Sequence, residues 1–523
     1  MNGVISILQT HGLHTKNRLE LEGLKAKVSE SEKLAEGDAG IYVRSLYTKD
    51  GALYFIAADE GEKSLYICAK NAPSGSPSSD PLKKFTGETR SFDGFTLKKA
   101  AFTTGNAAAL RKEFPFTSPV SLREKWTTVG CGDRLGIASA AHIKAIRDYD
   151  AYPVLAQQSI RELNFTGRSF ESIVADAAFL VFQEGYEKGW GADGDHLKTL
   201  EDVDTALKAG MPMITLDLTE NLHPEAAEWD EGKIEEEFGK LPADVQKYID
   251  ANYGDSVFED GEIEVKLSRS ESHKCALMYL DALEFAAQVD KHIESHRGEA
   301  YDLEISIDET SSPTLPSHHL FIIRELLQRN VRVNSLAPRF IGEFQKGIDY
   351  IGDLGEFERQ FAVHCAIAQA HGNYKVSIHS GSDKFSVYPV IGSHTKRRVH
   401  LKTAGTSWVE ALRTIARAEP DLYRLIHKKA REYFPEALKS YHITADIDRI
   451  PDIDSLKDSE LEQYLDILES RQMLHVTYGG LLNDKEVREP FFRALAAHEE
   501  LHDTIIKEHI EKHLVKLGVE KIH

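Results

Sequence analysis

Between residues 127 and 406 the chain repeats one pattern, a short apolar run of strand length that breaks off at polar, ionisable or small residues. Eight such runs occupy residues 127–134, 154–158, 189–196, 213–217, 301–309, 331–339, 375–384 and 399–406. Stretches of helical periodicity, such as 169–188 and 318–330, lie between them. Strands alternating with helices predict βα units and a parallel sheet. The ionisable endings predict more: in a parallel (β/α)8 barrel the loops that follow the strands converge on one cavity, so chemistry collects there. The expected fold class is α/β, a TIM-like (β/α)8 barrel over 121–410 with accessories on both sides.

The flanks follow other patterns. Residues 1–120 begin with an amphipathic stretch at 19–35 and continue with alternating runs at 40–47 and 53–58, which suggest antiparallel strands. With a Pro/Ser/Gly-rich loop at 73–81, this reads as an N-terminal α+β accessory region. An acidic excursion at about 220–274 interrupts the βα alternation and is too long for a plain loop. It is expected to be an insertion, folded as a helical lid. Residues 411–523 read as a mostly helical C-terminal extension with one further strand-like fragment at 473–480.

Bulk properties narrow the function classes. A hydrophobic content of 41% and a charged content of 28% describe an ordinary soluble globular protein. No apolar run reaches the roughly 18 residues of a membrane span, and the N-terminus lacks the basic and small-residue features of a secretory signal. Cys68, Cys131, Cys275 and Cys365 are scattered without a CxxC, which argues against a zinc ribbon or a disulfide framework. A reducing cytoplasm is the expected location. The formal net charge of -21 argues against nucleic acid as a partner, while a few cations at one mouth still suit a small anion. The oligomeric state is open, a homo-oligomer included.

Candidate chemistry sits at the strand ends. His196 and His379 each end a predicted strand, and with Glu304 and Asp308 they suit an open divalent site of Zn, Mn, Co or Ni type. Glu304 and Asp308 share one face by their even spacing, whereas Glu309 points to the other unless the strand has already turned. Arg134, Lys198, Arg339, Lys384 and Lys402 are cations at or just beyond strand ends, and Asp195 and Asp383 stand beside the histidines as further substrate-binding candidates. The run from Gly130 to Gly136 is GxGxxxG rather than a dinucleotide fingerprint, so its glycines are better explained by a tight strand end that exposes Asp133 to the cavity. No GxSxG elbow or P-loop is present. The string from His498 to His502 matches HExxH, yet His498, His502, His509 and His513 continue the apolar stripe of Phe491, Leu495 and Ile505, so the motif reads as a helix packed inward.

The strings at 128–136, 191–198, 306–310 and 377–384 resemble those of the tagaturonate epimerase family, and the resemblance runs from about 125 to 482. It implies a divalent-metal enzyme that interconverts D-tagaturonate and D-fructuronate, with relatives that epimerise fructose and tagatose at C4. C4 of a 2-ketose is β to the carbonyl, so its proton is not acidic and enolisation cannot invert it. Retro-aldol cleavage of C3–C4, assisted by a Lewis-acidic cation, or transient oxidation at C4 remain; without a nicotinamide fingerprint the first is favoured. Asp133 and Glu309 are then the expected acid/base pair. Two other readings use the same residues: a metal-dependent ketose isomerase or aldolase, and a non-catalytic sugar-binding protein.

Overall fold

A computed structural model describes residues 1–27, 33–71, 80–308, 310, 312–441 and 443–522. Eight parallel strands close into a barrel: β1 (Thr127–Gly130), β2 (Tyr152–Gln158), β3 (Gly191–Leu197), β4 (Met213–Asp217), β5 (Asp302–Ile307), β6 (Val333–Pro338), β7 (Lys375–Ile378) and β8 (Val399–Lys402). Neighbours in sequence pair in order, and β8 returns to β1 with Val399 opposite Thr127 and Lys402 opposite Gly130. Each of the eight predicted runs contributes one strand.

Period-two alternation along these strands decides what faces the axis. On β5, Leu303, Ile305 and Ile307 join the apolar core shared with the surrounding helices, while Glu304 bonds across the interior to Ser335 of β6. Val376 and Ile378 of β7 and Val399 and Leu401 of β8 do the same, leaving Lys375, Ser377, His400 and Lys402 on the alternate face. Most TIM barrels fill their interior with branched aliphatic side chains. Here it holds a hydrogen-bonded polar layer that includes Gln157, Asp193, Thr215, Glu304 and His400.

Among the described residues the N-terminal sheet has seven strands between Lys33 and Ala101. Its central strand, Ala52–Asp59, sends Leu53, Phe55 and Ala57 toward the helix Asn2–Thr10 and Tyr54 and Ile56 toward the barrel helix Phe170–Glu184. The two faces of one sheet thus join a terminal helix to the barrel. The amphipathic stretch at 19–35 is helical only over Arg18–Lys25, Lys33–Glu36 is already a strand, and the Pro/Ser/Gly loop falls largely on 72–79, outside the described residues.

Two expectations are corrected. The fragment at 473–480 is helical, divided between Leu468–Val476 and Tyr478–Asn483. A short apolar run buried on all sides has no periodicity that separates strand from helix. The acidic insertion is not a lid: it forms helices Glu231–Phe238 and Ala243–Tyr253 and the hairpin Ser256–Asp260/Ile263–Leu267, none of which lines the central cavity. Ile249, Tyr253 and Phe258 draw it onto the outer helices, and the Tyr248 and Tyr253 hydroxyls both donate to Glu325. All four cysteines are buried and unpaired, and among the described residues no helix is long and apolar enough to cross a membrane.

The HExxH string straddles a break. His498 ends the helix Lys485–Ala497 and caps the helix Glu499–Leu517, and Glu499 pairs with Lys33 at 2.7 Å, Lys63 at 2.6 Å and the Tyr42 hydroxyl at 2.8 Å. His502 and His513 are buried as the stripe predicts, whereas His498 faces outward to Glu419. The glutamate therefore clamps the N-terminal sheet to the C-terminal helix. Glu499→Gln should remove a largely buried charge from between two lysines and cost about 1–3 kcal/mol, read as a lower thermal midpoint.

Candidate functional site

The C-terminal ends of the strands open into a cavity of about 660 Å³. Its floor is the top of the polar layer. Lys402, buried at the end of β8, reaches across the axis to Asp195 at 2.5 Å, the Thr215 hydroxyl at 2.7 Å, Glu304 at 2.9 Å and Asp193 at 3.4 Å. Burial opposes its charge, but Asp195, Glu304 and Asp193 outweigh that and hold its pKa well above the ordinary lysine value. Asp195 and Glu304 are pushed up by burial and pulled well below the carboxylate range chiefly by Lys402, so both are anions. Asp193, deepest of the three, is raised by burial; it also accepts from Gln157 and from the Thr215 amide.

Above this floor three side chains from different strands converge. One ligand-type atom from each of His196, Asp308 and His379 lies within 4.8 Å of the others. Asp195 and His196 are consecutive, and a regular strand would aim them at opposite faces. A register shift between Gly194 and Leu197 and a left-handed φ of 55° at His196 turn both to the cavity. A non-glycine residue in that region costs on the order of 1 kcal/mol, which is typical of functional positions.

The hydrogen bonds assign the imidazole nitrogens. His379 Nε2 lies 2.7 Å from the Glu304 carboxylate and His196 Nδ1 2.9 Å from that of Asp195; both carboxylates are ionised, so the nitrogens donate. The opposite nitrogens face Asp308, His379 Nδ1 at 3.0 Å and His196 Nε2 at 3.7 Å from its Oδ1. His379 Nδ1 is buried and close to Asp308 Oδ1 without meeting it in good hydrogen-bond geometry. This is the arrangement of metal-binding histidines, each oriented by a carboxylate on its far nitrogen. Burial opposes a charge on either ring, yet Asp308 raises His379 and Asp195 raises His196. Two imidazoles and a carboxylate whose ligand-type atoms lie this close are a set that could hold a divalent cation with open positions.

Of the sequence candidates, the fold brings together Asp195, His196, Lys198, Glu304, Asp308, Arg339, His379 and Lys402. Glu304 sits behind His379 and holds it, on the side away from the convergence point. Glu309 lies outside the described residues. Four others are corrected. Asp133 does not face the cavity: its carboxylate accepts from the backbone amides of Leu135, Gly136, Ala138 and Ser139, closing the turn after β1. That turn needs its glycines, since Gly132 has a φ of 56° and a Cβ there would lie 2.5 Å from that of Ala404. Arg134 is buried against Glu162 and over the Tyr478 ring, away from the lining. Lys384 donates to the carbonyls of Gln345, Ile348 and Ser382, and Asp383 is bound by Arg471 and His509. Strand-end position marked these four, but the loops fold them back under the mouth.

Sequence reasoning missed Asp217, which ends β4 and lines the cavity with Oδ2 buried and without a hydrogen-bond partner, 3.6 Å from Lys198. The strand-end rule would have found it. Arg161 on the helix Ile160–Thr166, Lys346 in the loop after β6, and Ser440 and Tyr441 from the C-terminal extension also line the cavity, and no motif marks them.

Known proteins are similar to this chain in sequence and fold. The family model for tagaturonate epimerase matches residues 42–517. The tagaturonate/fructuronate epimerase of Thermotoga maritima is 38% identical over 476 residues, 91% of this chain and 96% of its own. Crystal structures of the fructuronate-tagaturonate epimerase of Cohnella laeviribosi, native and with one glycerol, superpose with a TM-score of 0.87 at 40% and 41% identity, covering 96% of this chain and 100% and 99% of theirs. Sequence, barrel and strand-end cavity agree, and the chain belongs to the tagaturonate epimerase family, enzymes of the isomerase class.

Proposed function

We propose that this protein interconverts D-tagaturonate and D-fructuronate by inverting C4, with a divalent cation held by His196, Asp308 and His379. The observation that carries the reading is the convergence of those three side chains at the strand ends of a family member, each histidine fixed by a carboxylate behind it. A bound divalent ion would supply Lewis acidity at the ketose oxygens. No residue signature supports a nicotinamide cofactor, so C3–C4 cleavage and re-addition is the route that fits.

The protein's own groups divide the remaining work. As C3–C4 breaks, C4 gives up its hydroxyl proton and becomes an aldehyde, and the electron pair of the broken bond passes to C3 and the adjoining carbonyl. Lys402 holds Asp195 and Glu304 ionised, so the histidines keep one orientation throughout. Rotation of the aldehyde about its bond to C5 exposes its other face, re-addition forms the inverted C4 alkoxide, and an acid returns the proton. Glu309 remains the sequence candidate for that acid.

Turnover of D-tagaturonate, followed by NMR, should stop on chelation and return with Mn, Co, Ni or Zn; a fully active metal-free preparation sinks the reading. His196→Ala and His379→Ala should lose bound metal by elemental analysis, and Glu304→Gln should weaken its binding by roughly 10–100-fold if the carboxylate acts through His379. In deuterated water the product should carry no deuterium at C4, because that carbon never exchanges its hydrogen; incorporation there would support deprotonation instead.

A further inference from the structure

The cations that line the cavity are not equivalent. Lys402 is committed to the carboxylates of the floor, and Lys198 lies 3.6 Å from Asp217 and 3.7 Å from Glu220. Arg339 donates to the Thr310 carbonyl. Arg161 and Lys346 differ: among the described residues neither has a hydrogen-bond acceptor for its side chain or an acidic group within ion-pair distance. In a chain with 84 acidic and 63 basic residues, two such cations in one concave wall run against composition.

Their surroundings keep them so. The Arg161 guanidinium lies 5.3 Å over the Tyr441 ring, an aromatic face that orients a cation without neutralising it. Glu162, the adjacent carboxylate in the wall, is already bound by Arg134 and by the Ser159 amide. Lys346 is held below the ordinary lysine pKa first by burial and then by the Arg134 and Arg161 charges, against the pull of Glu162 and Asp195. An anion seated between Arg161 and Lys346 would relieve that repulsion. The floor of the same cavity is acidic and would repel one.

We propose that Arg161 and Lys346 form the subsite that holds the carboxylate of the sugar acid, and so set the preference of this cavity for a uronate over a neutral ketose. The inference rests on the epimerase reading for the identity of the sugar, and on unneutralised charge for the position of its acid end. A guanidinium presents paired donors to a carboxylate and an ammonium adds a point charge, a combination that a hydroxymethyl group cannot use.

Steady-state kinetics on D-tagaturonate tests it, with calorimetric binding of D-gluconate against D-glucitol as a second readout on the same proteins. Arg161→Met and Lys346→Met should each raise KM by about 10-fold or more, with kcat within about threefold, and Arg161→Lys or Lys346→Arg should restore much of the loss. The wild-type protein should favour gluconate over glucitol, and the double variant should erase that preference. An unchanged KM in the double variant, a fall in kcat alone, or a surviving gluconate preference overturns the proposal. A wild-type protein that does not turn over D-tagaturonate defeats the reading of the reaction instead, and the gluconate comparison then decides the subsite by itself.

Discussion

The site depends on one ammonium group buried where apolar packing is the rule. Removing a lysine from water costs several kcal/mol unless carboxylates surround it, and carboxylates buried together are unstable without a cation among them. Lys402, Asp195, Glu304 and Asp193 satisfy each other only as a set. Their positions on β8, β3 and β5 make barrel closure and site assembly one event. Asp195 and Glu304, fixed by that lysine, in turn fix His196 and His379. A chain of charge thus runs from the barrel interior to the cavity, and each link is ionised because of its neighbour.

This polar interior also accounts for what was legible in the sequence. The strand of Asp302, Leu303, Glu304, Ile305, Ser306 and Ile307 alternates strictly, and such alternation in a sheet covered by helices identifies the inner face directly. His379, Asp308 and Lys402 keep that parity, whereas His196 reaches the cavity only through the register shift after Gly194 and its left-handed φ. Asp133, Arg134, Asp383 and Lys384 did not follow from that alternation, because they lie three to six residues past the strand, where direction is set by turn geometry rather than pleat. Asp133 shows the difference: amides at four following positions take its carboxylate inward, and no property of the residue type reveals this.

Residues contributed by distant segments were less legible still. Arg161 comes from a short seven-residue helix after β2, Lys346 from the loop after β6 and Tyr441 from beyond the barrel. Their proximity is a product of tertiary packing between segments that share no local pattern. The acidic insertion teaches the converse. Its charge and length suggested a cover for the cavity, but Ile249, Tyr253 and Phe258 carry the hydrophobic burial and direct it to the outer wall.

Tyr441 stacks on Arg161 from a segment beyond the eighth strand, and the backbone near the end of the chain pairs with the residues before β2, Ile522 with Asp148 and Asp150 with Glu520. One face of the cavity wall is therefore supplied by chain that follows the barrel. A nascent chain that has just released β8 from the ribosome already carries every histidine and carboxylate of the floor, but not the aromatic face that steadies the basic wall. Detaching that segment would leave the floor chemically whole and Arg161 and Lys346 in place, and would take away the aromatic face over the guanidinium, so the floor and the support of the basic wall belong to different stretches of the chain.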